Sequence, residues 1–390
     1  MDIEKIQQSL RDQELDGWLL ADFHGRNNIA VDILGLTGIV TRRSFYFIPA
    51  QGTPTGLVAP IEKEKFKHLP GKLVNFFGYK ALERELETLL FECNRVAMEY
   101  SPKGRLPYIG LVDAGTIELV RGVGVEVVSS ADLVAGFSAR LSTEQVASHH
   151  RAAGNLIKIK DKAFDFIAKS LESGQLITEY DVTRFILDRF EEKGMTTKFP
   201  PNCSVDANAG NPHYEPDSDS STVIAKGQLV LIDQWAKEDT AEGIYGDMTW
   251  MAFTGSKEEI PPKYVEMFAV LAKARDAAVA FIEKNISDRP VYGCDVDDVC
   301  RQVVEDAGYG AYFTHRTGHS ITTAEHGSGP NIDNLETKDR RALQEGHLFS
   351  IEPGIYMNDC GFRTEINVLI TSKGCEVTTL PLQYEILPLC

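Results

Sequence analysis

The sequence predicts an α/β domain over residues 1–140 followed by an α+β domain over residues 141–390 with an internal pseudo-twofold repeat, and three observations lead there. The chain has 390 residues, more than one hydrophobic core ordinarily serves, so two domains are the default. The pattern changes near residues 137 to 143, from short strand-like runs alternating with helices to a long helix with a clear start. Beyond that boundary the order helix, helix, strands occurs twice, at the level of pattern and without obvious residue identity.

In chain order, Met1-Asp-Ile-Glu-Lys-Ile opens an amphipathic helix. The runs Gly17-Trp-Leu-Leu, Ser44-Phe-Tyr-Phe-Ile-Pro, Gly56-Leu-Val, Arg95-Val-Ala-Met and Val125-Glu-Val-Val are apolar, short and rich in strand-forming residues, and each is expected to be a strand. Residues 81–93 and 108–121 read as helices between them. Ser142-Thr-Glu-Gln is a capping box that starts a helix running to residue 173, where Gly174 stops it. A shorter helix over 179–193, opened by Thr178 and closed by Gly194, leads into strands bearing Asp233 and Asp247. Helices over 261–285 and 295–307 then lead into strands bearing His319, Glu352 and Glu365. Two such halves facing each other would bring all five residues to the seam.

Composition narrows the class of function. With 57 acidic against 40 basic side chains the formal charge is −17, which argues against a nucleic-acid partner. The N-terminus lacks a basic-then-apolar signal segment, and no apolar stretch approaches the ~18 residues of a membrane span, so a cytoplasmic location without a membrane partner is expected. The seven cysteines are odd in number and form no Cys-x-x-Cys pair, so they should be reduced thiols filling the core.

Acidic residues are common in this chain, so any one of them taken alone is a surface carboxylate. Context sets four apart. Asp233 closes Gln228-Leu-Val-Leu-Ile, Asp247 precedes Met248-Thr-Trp-Met-Ala-Phe, Glu352 follows Leu348-Phe-Ser-Ile, and Glu365 precedes Ile366-Asn-Val-Leu-Ile. Carboxylates flanked by strand-forming apolar residues are expected to be partly buried, and a buried carboxylate needs a cation or a hydrogen-bonded partner. Four such oxygen ligands with the imidazole of His319 suit a pair of divalent first-row ions.

The segments Leu231-Ile-Asp-Gln, Gly246-Asp-Met-Thr, Thr317-Gly-His-Ser-Ile with His326 seven residues beyond His319, Ile351-Glu-Pro-Gly-Ile-Tyr and Arg363-Thr-Glu resemble the pita-bread metallopeptidases. That group holds methionine aminopeptidase, aminopeptidase P, prolidase and creatinase. The resemblance covers most of the chain. Residues 1–140 look like the creatinase/prolidase N-terminal domain, which points to the proline-directed branch, and residues 141–390 to the pita-bread catalytic domain. It implies that Asp233, Asp247, His319, Glu352 and Glu365 are the ligands of two divalent ions, Mn(II), Co(II) or Zn(II), and the set is intact. It also places His326 and His213, the latter in Asn211-Pro-His-Tyr-Glu, against the scissile carbonyl or its neighbour. A homodimer is the expected assembly, and the Arg42-Arg43 pair either reaches across it or is simply solvated.

Spacing agrees with this set. The polar stretch between Asp233 and Asp247, with Gly243, can reverse an antiparallel pair so that both carboxylates aim at one point. That connection is longer than in many relatives. Trp235, Trp250 and Ile366 also depart from the pattern and are expected to alter the pocket walls. The expected reaction is hydrolysis of an Xaa-Pro peptide bond, by hydroxide from a water bridging the two ions, with Glu352 as the proton shuttle. His315 lines the pocket or backs the ligand strand, and Arg363, two residues from Glu365, orients the carboxylates. His24, His68, His149, His150 and His347 read as structural. A prolidase-like dipeptidase leads, with aminopeptidase P activity close behind. A C–N hydrolase of the creatinase or ectoine hydrolase kind and a catalytically silent binding module are the alternatives, and the intact ligand set speaks against the latter.

Overall fold

A mixed six-stranded sheet, apolar on both faces, organises the first of two units into which a computed structural model, describing all 390 residues, divides: Met1–Ser138 and Ala139–Cys390. Its elements are α1 (Ile3–Asp12), β1 (Gly17–Asp22), α2 (Asn28–Leu34), β2 (Ser44–Pro49), β3 (Thr55–Val58), α3 (Lys63–Phe66), β4 (Lys72–Asn75), α4 (Tyr79–Leu90), β5 (Arg95–Met98), α5 (Ala114–Gly122), β6 (Glu126–Ser129) and α6 (Ala131–Phe137). The strands lie in the order β4-β3-β2-β1-β5-β6. Alternate residues of β1 enter separate cores, Trp18 and Leu20 on one face and Leu19 and Ala21 on the other, which is why the strand reads as a continuous apolar run. The helix expected over 108–121 is corrected: Pro107–Ile109 forms a single 3-10 turn, and α5 begins only at Ala114, where the Asp113 side chain accepts from Thr116 N at 3.0 Å. Pro107 and the N-cap at Asp113 impose that break.

The second unit contains α7 (Thr143–Ser173), α8 (Glu179–Glu192), β7 (Met195–Thr196), β8 (Asn202–Val205), β9 (Leu229–Glu238), β10 (Gly246–Phe253), α9 (Pro262–Asn285), α10 (Gly293–Asp306), β11 (Leu348–Ile351), β12 (Gly354–Tyr356), β13 (Gly361–Arg363), β14 (Ile366–Thr371), β15 (Gly374–Val377) and β16 (Leu387–Pro388). The Ser142 capping box forms, and Gly174 closes α7 in the left-handed region, as its sequence requires. Two helices and a sheet therefore occur twice: α7 and α8 with β9 and β10, then α9 and α10 with β11, β14 and β15.

The antiparallel pair β9 and β10 separates two cores. Val230, Ile232, Met248 and Ala252 pack toward α7 and α8, whereas Leu229, Leu231, Met251 and Phe253 pack toward α9 and α10. The sheets meet at β10 and β14, where Asp247 N donates to Asn367 Oδ1 at 2.9 Å and Glu365 N donates to the Thr249 carbonyl at 3.3 Å. No helix is long and apolar enough to cross a membrane. All seven cysteines are free thiols, and Cys203, Cys294, Cys300 and Cys360 are buried.

Candidate functional site

Register brings the acids together before any ligand is considered. Asp233 lies opposite Thr249, and Trp235 opposite Asp247, so these four side chains share one face of the β9–β10 ribbon and the two aspartates are diagonal neighbours. Gly243 permits the intervening turn, because a Cβ there would meet the Glu238 carbonyl oxygen at 2.2 Å.

His319 arrives differently from the sequence expectation of a ligand on a strand. It sits between two isolated bridges, Gly318 with Ile332 and Ser320 with Phe349. A Cβ on Gly318 would lie 1.9 Å from the Ser350 carbonyl oxygen, so the glycine lets this segment press against β11. The segment is tied down from α10: buried Asp297 accepts from Thr317 N at 3.1 Å and pairs with Arg301 at 3.1 Å, and Arg301 donates to the Phe313 and His315 carbonyls at 3.0 and 2.8 Å. His319 N donates to Ser350 Oγ at 3.0 Å, and Ser350 Oγ donates to Glu352 Oε1 at 3.0 Å.

Ligand atoms of Asp247, His319 and Glu365 all lie within 4.8 Å of one another. His319 Nε2 stands 3.4 Å from both Asp247 Oδ2 and Glu352 Oε1, which adds Glu352 to the group. Asp233 joins through Thr249, whose Oγ1 lies 2.9 Å from Asp233 Oδ1 and 2.8 Å from Glu365 Oε2. Thus all five residues singled out in the sequence occupy one place. Asp247 and Glu365 are buried, while the side chains of Glu352 and Asp233 keep 15% and 13% exposure and so form the open side.

The charge balance of the cluster fits divalent cations. Burial, then repulsion from Asp233, pushes the Asp247 carboxyl well upward, and burial, then repulsion from Asp247, does the same to Glu365. Burial drives His319 down to about 3, leaving a neutral imidazole with a lone pair to offer. One hydroxyl proton on Thr249 cannot serve both Asp233 and Glu365, so one carboxylate there needs a proton or a cation of its own. The Arg363 guanidinium is the cation paired with Asp233, and an unpaired buried carboxylate costs several kcal/mol. Divalent cations would meet that deficit, and the donor set of carboxylate oxygens with one imidazole suits them.

Arg363 does more than orient from behind: it pairs directly with Asp233, donates from Nε to Thr249 Oγ1 at 2.9 Å and donates from Nη1 to the Tyr356 hydroxyl at 3.1 Å. His315 is the next link, with Nε2 2.8 Å from that hydroxyl and Nδ1 2.6 Å from the Arg316 carbonyl. Burial holds His315 down at about 3 and raises Tyr356 to about 12, so this chain is neutral apart from the guanidinium. His326 has a half-exposed side chain and packs its ring edge-on against His319 at 4.2 Å between centroids. His213 is exposed on the loop after β8 and lies within electrostatic range of His326.

Two of the three expected changes in the pocket walls are corrected. Trp250 lies on the opposite face of β10, with Lys160 Nζ of α7 3.4 Å from its ring centroid, and Ile366 packs in the core. Only Trp235 shares the face of the acids. Residues that sequence reasoning passed over are Thr249, Ser350 and Tyr356. The first two lie two positions from Asp247 and Glu352, so the period of a strand was the signal that could have found them.

A family model described as metallopeptidase family M24 matches residues 151–372. An uncharacterised peptidase of Staphylococcus haemolyticus is 25% identical over 390 residues, spanning 97% of this chain and 98% of that protein. Among solved structures, the dipeptidase PepE of Mycobacterium ulcerans superposes with a TM-score of 0.75 at 21% identity, over 99% of this chain and 96% of that one. A prolidase of Thermococcus sibiricus gives 0.69 at 21% identity, over 100% and 99% of the two chains. An Xaa-Pro dipeptidase of Bacillus anthracis gives 0.65 at 19%, over 99% and 98%. All three share the fold, the pita-bread architecture behind its N-terminal domain.

Proposed function

The chain belongs to metallopeptidase family M24, and on that premise we propose that it hydrolyses the Xaa-Pro bond of short peptides with two divalent ions, Mn(II), Co(II) or Zn(II). The observation that carries this reading is the convergence of Asp233, Asp247, His319, Glu352 and Glu365 on one place in which the acids outnumber the available cations. The prolidase and Xaa-Pro dipeptidase among its structural neighbours support the choice of substrate.

Asp247, His319 and Glu365 would hold the inner side of the ions, and Asp233 and Glu352 the open side. Bound there, divalent cations supply Lewis acidity, which acidifies water and polarises a carbonyl. Glu352 is the proton carrier: its carboxylate borders the opening, and Ser350 fixes its Oε1. His326, half-exposed beside His319, donates a hydrogen bond to the oxygen of the scissile carbonyl, and His213 approaches from its loop. Arg363, fixed by Tyr356 and His315, pairs with the Asp233 carboxylate and holds it in place. The reading includes a cytoplasmic homodimer; one structural neighbour, an X-prolyl aminopeptidase of Caenorhabditis elegans, is described as cytosolic.

The test is release of free proline by metal-stripped protein given back Mn(II), Co(II) or Zn(II), on Xaa-Pro dipeptides and an Xaa-Pro-Xaa tripeptide followed by loss of its first residue. Metal-restored cleavage of dipeptides alone identifies a dipeptidase, and tripeptide cleavage an aminopeptidase. No cleavage in protein that binds two ions would overturn the proposal in favour of a small-molecule C–N hydrolase.

A further inference from the structure

The face of β9 that carries Asp233 continues past the acids, and one direction along it leads out of the core. Leu231, two residues before Asp233, is 1% exposed, and Asn202, opposite Asp233 on β8, is buried. In the other direction the next side chain is Trp235, two residues beyond Asp233 and opposite Asp247. It is partly exposed and packs against the cluster formed by Tyr245, Ile321 and Leu348. Its indole Nε1 is buried without a hydrogen-bond partner, so packing alone holds the ring. Beyond Trp235 the face is closed. Lys237 donates to the Thr323 carbonyl at 2.8 Å and stands 5.5 Å from the Tyr245 ring centroid, while Tyr245 N donates to the Thr322 carbonyl at 3.2 Å.

The course of a substrate through this space follows from the proton. The leaving nitrogen must face Glu352, which follows β11 and so belongs to the other sheet from Asp233 and Asp247. The acyl residue of the same bond then lies over the β9–β10 ribbon, with Trp235 as the next side chain on that face. One step between side chains on a strand face is about 6.8 Å, which leaves space beside Asp233 for a short side chain and none for a second ring. We propose that Trp235 is the end wall for the residue ahead of the scissile bond and restricts it to small side chains such as those of glycine and alanine.

The unpartnered indole makes this wall removable. Because its N–H bonds to nothing, truncating Trp235 strands no donor or acceptor elsewhere and simply enlarges the space. Bulk in an apolar subsite is discriminated by about tenfold or more per excess methylene, so the change should be large for an aromatic residue.

This assignment rests on the peptidase reading, and the experiment separates the two. Metal-loaded full-length protein is given glycyl-proline, alanyl-proline, leucyl-proline and phenylalanyl-proline. Release of free proline is measured for the native protein, Trp235→Ala and Trp235→Phe, with bound metal and unfolding temperature followed alongside. The native protein should cleave alanyl-proline at least about tenfold better than phenylalanyl-proline in kcat/KM. Trp235→Ala should lower that ratio about tenfold or reverse it, chiefly through a lower KM for the bulky dipeptide, with Trp235→Phe between the two. If Trp235→Ala proves unfolded or loses metal, the shift in Trp235→Phe decides. The native ratio persisting in a folded, metal-loaded variant, or a native protein indifferent to bulk, overturns the role of Trp235 while the peptidase reading stands. Native protein that releases proline from none of the four dipeptides overturns the peptidase reading, and this assignment with it.

Discussion

Asp247 condenses the chemistry of the site into one side chain: 4% exposed, diagonal to Asp233 across a strand pair, and 3.4 Å from a neutral His319. Its backbone is held independently of its carboxylate, through the bond from its N–H to Asn367 and the full β9–β10 register. Asp247→Ala should therefore abolish metal-dependent hydrolysis and lower the bound metal, while circular dichroism still reports a folded, soluble chain; full activity in that variant would refute its role as a ligand. His315 shows what a single position leaves open. Its number and spacing fit pocket lining or support equally, and its place in the chain from Arg316 through Tyr356 to Arg363 follows from partners as much as 41 residues away. Thr249 and Ser350 were within reach of the alternation rule, because each lies two positions from a recognised acid.

At the scale of elements, buried polar groups fasten the segments that carry the site. Glu179, at the start of α8 and fully buried, accepts from Val205 N at 2.7 Å, Asn208 Nδ2 at 3.0 Å, the Tyr214 hydroxyl at 2.6 Å and Thr222 N at 2.9 Å, so it clasps both ends of the loop bearing His213. Glu179→Ala strands those donors at a cost of a few kcal/mol, and it should raise KM more than it lowers kcat and expose the loop to limited proteolysis. His149 does similar work for α7. Its Nδ1 donates to the Tyr245 carbonyl at 2.7 Å, and Nε2 therefore accepts from the Thr378 hydroxyl at 2.6 Å. Burial lowers it from 6.5 to about 4. The unfolded chain then binds the extra proton first, so the stability His149 contributes is complete above pH 6.5 and declines as pH falls toward 4, by up to roughly 3 kcal/mol. Thermal unfolding across that window should show the decline, and His149→Gln should flatten it.

For the whole molecule, the second unit is two similar halves that each bring part of the proposed ligand set, so metal bound there should act as a staple across their seam. Chelation should lower the unfolding temperature and re-added metal restore it, since a ligand at about a hundred times its Kd contributes about 2.7 kcal/mol; Asp247→Ala should lack that response. Much of this architecture was legible in the sequence. Helix starts were written in Ser142 and Thr178, strands in apolar runs, and the two-unit division in the change of pattern near residue 140, because capping and burial on both strand faces act over a few residues. The helix expected from residue 108 was misplaced because Pro107 and the Asp113 cap compete locally with an apolar period. The sequence by itself determined the long helices of the second unit, the main apolar strands, the five residues with metal-ligating chemistry and the resemblance that joins them. The tertiary structure alone decided that His319 is held between bridges on a glycine contact and that Trp250 and Ile366 face cores. Each of these depends on which distant segments pack together, and the local preferences of a chain carry no record of that.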